Sequence, residues 1–293
     1  MQTGQISRTA EYMAFFRALE SLHPPTSRLL SDPFAVDFLR PSLRRAAWFA
    51  KAPLFRSFIE RYADARLPGA RTSAVARTRL IDEAWLAAIA EGIRQIVILG
   101  AGFDCRACRL RESHSASIYE VDHPAMHSLK KRVLAERLEQ LQESVCFTAI
   151  DFNRQSLPEV LAEAGFECTQ PALFLWEGVT NYLTEEAVAG VLSYVGGCAP
   201  GTRIAFTYVH RGALNGSTAF YGAPKILLDV ARIGEPWTFG LDPAEVGEFL
   251  RARNLELDSD AGAAEYRLQA YGPPGARMRG YEFYHLVRGH VAG

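Results

Sequence analysis

Apolar residues recur along this chain with two different periods, and the period changes near residue 92. Before that point apolar and aromatic residues follow helical spacing, and Asp32-Pro33 has the form of a helix start with an aspartate cap and a proline at the first position. The other helices predicted in this part cover residues 7–22, 48–62 and 73–92. We interpret their aromatic residues as helix packing, and we predict an N-terminal helical cap over residues 1–92.

From Ile96 onward, short apolar runs alternate with helical patterns. Five strands are predicted over residues 96–99, 117–121, 145–150, 172–176 and 202–209. Repeated strand–helix units predict a doubly wound, mostly parallel α/β sheet within residues 93–293. Two terminal strands, near Leu255 and over 281–287, would close the sheet as a hairpin-like pair after a helix over 242–253. The glycine-rich segment 210–240 is too irregular for a simple crossover and is predicted to form a lid on the substrate side.

The stretch IVILGAGFDCRACRL joins the first of these strands to a helix through a glycine turn. Gly100 and Gly102 allow a sharp turn and a close approach of the backbone to a ligand, at the edge where open α/β sheets bind ligands. The pattern is GxGxD, and Cys105 stands where a dinucleotide fingerprint has its third glycine, which disfavours pyrophosphate binding. Taken alone, the glycine pair is also compatible with a simple strand-to-helix turn.

Composition narrows the classes of partner. The 293 residues carry 32 Lys and Arg against 33 Asp and Glu, so no overall field attracts nucleic acid or an anionic membrane. No apolar run is long enough to cross a bilayer and the N-terminus lacks a signal-peptide core, which predicts a cytoplasmic protein with a small-molecule partner. Five cysteines do not predict a disulfide framework, and the Cys105–Cys108 pair lacks the companions of a metal site. No pattern indicates an oligomeric state.

Seven motifs occur in order along residues 5–210: RTAEYMAFFRALES, SDPFAVDFL, ARTRLIDEAWL, IVILGAGFDCRACRL, YEVDHP, DFN and LFLWEGVTNYLTEE. Together they resemble the leucine carboxyl methyltransferase family of S-adenosylmethionine-dependent O-methyltransferases, which includes bacterial members that act on small molecules. The resemblance implies a class I methyltransferase fold, Rossmann-like, with seven strands of which the last is antiparallel. It also implies S-adenosyl-L-methionine as the cofactor.

The resemblance assigns one group of residues to the methionine part of that cofactor. Gly100, Ala101 and Gly102 would pass beside it, and Arg77 would pair with its carboxylate, because a guanidinium offers two parallel hydrogen bonds to a planar anion. Arg28, in TSRLLSDPF, would be a second basic contact from the cap. Without the family pattern, either arginine is equally well explained as part of a solvated helix face.

A second group would contact the ribose, the adenine and the transferred methyl group. Asp122 in YEVDHP would accept hydrogen bonds from the ribose hydroxyls, with Glu120 on the same strand face as a competitor. Asp151 and Phe152 would meet the adenine, and Glu177 would face the methionine amine or the methyl-transfer site. Helix caps or surface pairs are the alternative roles for these acids.

The implied reaction is an in-line methyl transfer, for which the protein aligns two reactants and excludes water. A carboxylate acceptor of a small molecule is our preferred prediction, because a carboxyl group with a pKa of about 4 needs no general base at neutral pH. A hydroxyl acceptor would need one, and His210 or His123 is then the candidate, while Tyr182 would orient either acceptor. Two other classes stay open at this stage: a nicotinamide-dependent oxidoreductase and a non-catalytic cofactor-binding domain.

Overall fold

The computed structural model describes residues 8–110, 115–138, 145–150, 155–217 and 219–293. The elements of the first part are α1 (Arg8–Glu20), a 3-10 helix (Ala35–Phe38), α2 (Pro41–Phe49), α3 (Pro53–Arg66), α4 (Ala70–Ala90), β1 (Gln95–Leu99), α5 (Arg106–Arg109), β2 (Ser117–Asp122), α6 (Pro124–Leu138) and β3 (Val145–Ala149).

The elements of the second part are α7 (Leu157–Glu163), β4 (Ala172–Trp176), a 3-10 helix (Thr180–Tyr182), α8 (Glu185–Gly196), β5 (Arg203–Val209), α9 (Arg211–Leu214), α10 (Ala223–Arg232), α11 (Val246–Arg251), β6 (Leu255–Gly262), α12 (Ala263–Tyr271), a 3-10 helix (Pro273–Arg277) and β7 (Tyr284–Val291).

The seven strands form one sheet in the order β3-β2-β1-β4-β5-β7-β6. β1 pairs in parallel with both β2 and β4, whereas β7 runs antiparallel to β5 and β6. The chain order reverses direction across the sheet between β1 and β4, and this is the position where doubly wound sheets bind ligands. The predicted fold class, including the reversed last strand, is confirmed.

Both faces of the sheet are covered, as the continuous apolar runs of the central strands predicted. Ile96 and Ile98 face a layer that includes Trp85 of α4, while Val97 and Leu99 face a layer that includes Leu192 of α8. Alternate residues of one strand point to opposite faces of the sheet. Because helices cover both faces, all five residues of β1 are buried. The sheet edge at the ends of β1, β2 and β4 is thereby held rigidly.

Several sequence-based expectations for the first 92 residues are corrected. Residues 48–62 do not form one helix, because Pro53 begins a separate helix after α2 ends. Asp32 accepts hydrogen bonds from the backbone of Phe34 and Ala35 at 3.1 and 3.0 Å, but the element after it is a 3-10 turn rather than an α-helix. The interpretation of the aromatic residues as packing is wrong for α3, in which no residue is buried.

Other differences lie in the second half. Segment 210–240 contains the regular helices α9 and α10, and the helix expected from residue 242 begins at Val246. Thr184 caps α8 by accepting from the backbone N–H of Ala187 at 3.3 Å. Cys168 and Cys198 form a disulfide, which the cysteine count did not predict. No helix in the described part of the chain is long and apolar enough to cross a membrane.

Candidate active site

The glycine turn after β1 is fastened to the end of β2. The backbone N–H groups of Gly100 and Ala101 both donate to the carbonyl oxygen of Val121, at 2.8 and 3.2 Å. Gly100 and Gly102 have φ angles of +66° and +45°, a region that side chains disfavour. A Cβ atom on Gly100 would lie 2.4 Å from the Cγ2 atom of Val179, so this position requires glycine for space as well as for conformation.

Asp122 ends β2 directly beside this turn. Its two carboxylate oxygens accept from the backbone N–H groups of Gly102 and His123, at 2.5 and 2.6 Å. Burial raises the pKa of Asp122, and these two hydrogen bonds only partly offset the effect. Glu120 instead forms a fully buried ion pair with Lys130 at 2.6 Å. The geometry therefore favours Asp122 over Glu120 as the acid available to a ligand.

Arg77 and Glu177 meet on the other side of the turn. The Nε–H of Arg77, on α4, donates to Glu177, which directly follows β4, at 2.7 Å. The guanidinium lies over the ring of Tyr284, 4.8 Å from its centroid, and its Nη2 atom is 3.5 Å from the sulfur of Met13. Burial alone would lower the pKa of Arg77, but the Glu177 carboxylate outweighs it and raises that pKa. Since a thioether is a weak acceptor, Arg77 retains donor capacity for an anion.

Arg106, which sequence reasoning did not single out, links these residues to the glycine turn. Its Nη2 atom donates to Glu177 at 2.9 Å and its Nε atom to Asp82 at 2.8 Å. It also forms an ion pair with Asp104 of the GxGxD pattern. Burial would raise the pKa of Glu177, but the charges of Arg106 and Arg77 outweigh it and lower that pKa. The same balance, with Arg106 as the main cation, lowers the pKa of Asp104 to about 2.

Tyr182 lies at one side of this ion-pair network. Its hydroxyl is beside the side chains of Thr9 and Trp237, and burial raises its pKa to about 12. The ring of Trp237 lies 6.1 Å from that of Tyr284, which ties it to the ring beneath Arg77. Tyr281 lies 5.8 Å from Tyr284 and completes an aromatic wall of Tyr182, Trp237, Tyr281 and Tyr284.

The two histidines proposed as bases both cap backbone N–H groups. His210 accepts through Nδ1 from Gly212 at 3.0 Å, and His123 accepts through Nδ1 from Ala125 at 3.2 Å. A neutral imidazole that accepts through Nδ1 carries its proton on Nε2, so this tautomer has no free lone pair. Burial also lowers the pKa of His210, whose ring lies 4.8 Å from Phe220.

The structure thus brings together Arg77, Gly100, Ala101, Gly102, Asp122 and Glu177, with Tyr182 nearby. The side chain of Arg28 has no hydrogen bond or ion pair with the residues that the structure describes. Asp151 and Phe152 lie outside the described residues. Within those residues no group of His, Cys, Asp and Glu side chains could hold a metal ion.

These residues fit the predicted cofactor. A buried guanidinium with unused donor capacity suits the carboxylate of an amino acid, and an acid at the end of β2 suits two vicinal hydroxyl groups. The sheet order and the glycine turn between these groups define the class I methyltransferase fold.

Comparison with solved structures agrees with this assignment of the fold. The structure is similar over 94% of the chain, with a TM-score of 0.61 and 18% identity, to the crystal structure of a candidate methyltransferase from Thermobifida fusca, 97% of which is covered. A protein of Streptomyces avermitilis from the DUF574 family matches with a TM-score of 0.59 and 13% identity, over 94% of this chain and 96% of that one. At these identities the likeness concerns the fold alone.

The sequence model of the leucine carboxyl methyltransferase family matches residues 10–196, and the chain belongs to that family. A Streptomyces coelicolor relative, described as a candidate S-adenosyl-L-methionine-dependent methyltransferase, is 33% identical over 73% of either chain. A Mycobacteroides abscessus relative with the same description is 34% identical over 68% of this chain and 63% of its own length. The predicted family and its cofactor, S-adenosyl-L-methionine, are confirmed.

Proposed function

We propose that this protein is an S-adenosyl-L-methionine-dependent O-methyltransferase that methylates a carboxylate of a small molecule. The observation that carries the proposal is the protonation chemistry around Arg77. Two acids of the network, Glu177 and Asp104, are paired with arginine and have lowered pKa values, so they are weak bases. Burial raises the pKa values of the phenols Tyr182 and Tyr284, so they are neutral donors at neutral pH. Such a site suits an acceptor that arrives as an anion.

Each residue of the site has a role in this proposal. Arg77 would hold the carboxylate of the cofactor's methionine part, beside Gly100–Gly102, and Asp122 would accept from its ribose hydroxyls. Glu177 fixes the plane of the Arg77 guanidinium, and its carboxylate would face the methionine amine. When bound, S-adenosyl-L-methionine supplies a methyl group on a positively charged sulfur. Contacts of Arg28, Asp151 and Phe152 with the cofactor stay predictions.

The remaining work of the chain is to hold the acceptor and exclude water. The aromatic wall beside Arg77 lowers the local dielectric, which favours the approach of an anion to a cation. The Tyr182 hydroxyl, protonated at neutral pH, would donate to an acceptor oxygen. The acceptor itself, a hydrophobic or aromatic acid of small size, would lie against this wall, to which segment 210–240 contributes Trp237.

A hydroxyl acceptor is less compatible with the geometry, because the ring nitrogens Nδ1 of His210 and His123 already accept backbone hydrogen bonds. The alternative of a nicotinamide-dependent oxidoreductase is not compatible with the family to which the chain belongs.

The test uses S-adenosyl-L-methionine with a radiolabelled methyl group and a panel of small carboxylic acids, each paired with the alcohol of the same skeleton. We expect label in a product that mild alkali hydrolyses, as an ester requires, and a rate that does not rise steeply between pH 7 and 9. Arg77→Met should lower kcat/KM about 10- to 100-fold through loss of charged hydrogen bonds. Arg79→Met, on the exposed side of the same helix, is the matched control.

An alkali-stable product made from the alcohols would assign hydroxyl methylation instead. Saturable binding of S-adenosyl-L-methionine without transfer to any member of the panel would favour a non-catalytic binding protein.

A further inference from the structure

Helix α3 carries four large apolar side chains on its outer face. Leu54, Phe55, Phe58 and Tyr62 are 81%, 53%, 69% and 63% exposed. Their positions, i, i+1, i+4 and i+8, lie on one face of a helix and form a continuous apolar stripe. An amphipathic helix at a protein surface ordinarily turns such a stripe inward, so the orientation of α3 is inverted.

Polar contacts hold the opposite face of α3 against the protein. Arg56 donates through Nη1 to the carbonyl oxygen of Leu22 at 2.6 Å, and Glu60 lies 2.7 Å from the ring of His23. Glu60 and Arg56 are one helical turn apart on the inner face. The same inner face carries Ile59 and Ala63, which pack partly buried against the core, so α3 is held by this face and its apolar stripe points outward.

The end of α2 extends the stripe into a patch. Trp48 and Phe49 are 62% and 50% exposed, their rings lie 5.0 Å apart, and the Phe49 ring is 6.1 Å from that of Phe55. We call the set of Trp48, Phe49, Leu54, Phe55, Phe58 and Tyr62 the α2–α3 patch. It holds six of the ten large hydrophobic side chains that are exposed in the described part of the chain, all within 15 residues. Scattered surface hydrophobics need no explanation, but a contiguous patch marks an interaction site.

The segment that carries the patch is basic, although the chain as a whole is nearly neutral. Residues 40–66 contain seven arginines and lysines and two acids, although the net charge of the whole chain is −1. Arg45, Lys51 and Arg61 are exposed and have no ion pair with the residues that the structure describes. The two acids, Glu60 and Asp64, both lie within ion-pairing distance of Arg71 on α4. The net charge of the whole chain does not reveal this local positive charge, yet a partner that contacts the patch would meet it.

From these observations we infer that the α2–α3 patch docks on the surface of a membrane that contains anionic phospholipid. Aromatic and leucine side chains flanked by arginine and lysine are the pattern of helices that lie in the membrane interface, where the rings enter the headgroup boundary and the cations meet lipid phosphates. A second copy of the chain is disfavoured as occupant, because a two-fold contact through this patch would bring two basic rims together.

Docking would also orient the candidate active site. The Nζ atom of Lys225, on α10, donates to the carbonyl oxygen of Arg66 at the end of α3, at 2.6 Å. The C-terminal end of α3, one helical turn beyond Tyr62, therefore contacts α10, so a docked protein would present α10 near the bilayer. The inference does not depend on the proposed methyl transfer and can fail or hold independently of it.

The test measures co-sedimentation of the full-length protein with vesicles of phosphatidylcholine, with and without one quarter phosphatidylglycerol. We expect binding to the anionic vesicles that weakens as salt is raised, and little binding to phosphatidylcholine alone. Phe55→Ser with Phe58→Ser should weaken the partition coefficient at least about tenfold, because two rings no longer leave water. Leu257→Ser with Leu268→Ser, 39% and 48% exposed on other elements, is the matched control and should bind as the native chain does.

A second measurement needs no substitution in the apolar stripe. Of the four tryptophans, Trp85 and Trp176 are buried, Trp237 is half-buried and Trp48 is exposed. The emission of Trp48 should therefore shift to shorter wavelength when anionic vesicles are added, and Trp48→Phe should abolish the shift.

Four results would overturn the inference. One is an equal partition of the native chain and the Phe55→Ser, Phe58→Ser variant. A second is no binding of the native chain and no spectral shift. Another is a native dimer in sedimentation equilibrium that this variant loses, which would give the patch to a second copy. The last is binding to polyglutamate without binding to vesicles, which would indicate an acidic protein partner.

Discussion

The ion pair between Arg77 and Glu177 allows a quantitative prediction. Glu177→Gln removes the charge but keeps the shape and one acceptor oxygen. The side chains of Arg77 and Arg106 are 4% and 2% exposed, so both cations lose an opposing charge where water cannot replace it. Arg106 retains Asp82 and Asp104, whereas Arg77 has no other ion-pair partner among the described residues.

The loss in unfolding free energy caused by Glu177→Gln follows from this difference between Arg77 and Arg106. Removal of one member of a buried ion pair destabilises by about 3–5 kcal/mol, because an uncompensated charge remains. Glu177 is 19% exposed and glutamine can still accept from Arg77, so we expect the lower end, about 3 kcal/mol of unfolding free energy. The Arg77→Met, Glu177→Gln double variant should be at least about 1 kcal/mol more stable than Glu177→Gln alone, since the buried cation is gone as well.

Urea unfolding followed by far-ultraviolet circular dichroism measures both values. Glu83→Gln is the control, because it breaks the Arg79–Glu83 pair on the same helix, whose members are 47% and 45% exposed. That change should cost less than about 1 kcal/mol. If Glu177→Gln costs no more than Glu83→Gln, the network around Arg77 does not operate as a buried charge system, and Glu177 would no longer be expected to be a weak base.

Three further predictions concern the glycine turn, the acid beside it and a buried histidine. Gly100→Ala should lower the unfolding free energy by about 2–4 kcal/mol through the clash with Val179 and the positive φ angle, and Val179→Ala should restore only the part due to the clash, as thermal unfolding would reveal. Asp122→Asn should weaken the binding of S-adenosylhomocysteine about tenfold in calorimetry, and unchanged affinity would remove this acid from the site. Burial, with the charges of nearby lysines, lowers the pKa of His127 from 6.5 to about 4, so the unfolded chain binds a proton that the folded chain excludes and stability falls as the pH drops from 6.5 toward 4. His127→Leu should make the melting temperature less dependent on pH over that interval, and an unchanged pH slope would contradict the assignment.

The parts of the site that could be predicted from sequence are those whose signals are local. Gly100 follows a strand directly, and parallel strands bring their ends to one edge of the sheet, so the strand–glycine motif was sufficient to place this turn. The family resemblance added Asp122, Arg77 and Glu177, and the structure joins the last two at 2.7 Å. Their mutual pairing was not predicted, because each was assigned to the cofactor separately.

The features that could not be predicted depend on contacts between distant segments. Arg106 stands in a motif interpreted only through its glycines, and its partners Asp82 and Glu177 lie 24 and 71 residues away in sequence. The sequence did indicate that Arg106 is buried, since it is flanked by the small residues Cys105 and Ala107, which are buried in the structure. Periodicity does not reveal which acidic side chains pair with it. The orientation of α3 could not be predicted either, because the sequence pattern of an amphipathic helix is the same whichever face is turned inward.

The two inferences about this protein depend on different faces of the N-terminal region. Arg77 is directed inward from α4, where its pairing with Glu177 joins that helix to the end of β4. Phe55 and Phe58 are directed outward from α3 and share no hydrogen bond or ion pair with that network. Stability changes at sites without shared partners add, so Glu177→Gln combined with Phe55→Ser and Phe58→Ser should unfold with the sum of the separate costs, within about 0.5 kcal/mol. A larger deviation would mean that the outer face of α3 and the ion-pair network are coupled, and that vesicle binding would then alter the affinity for the cofactor.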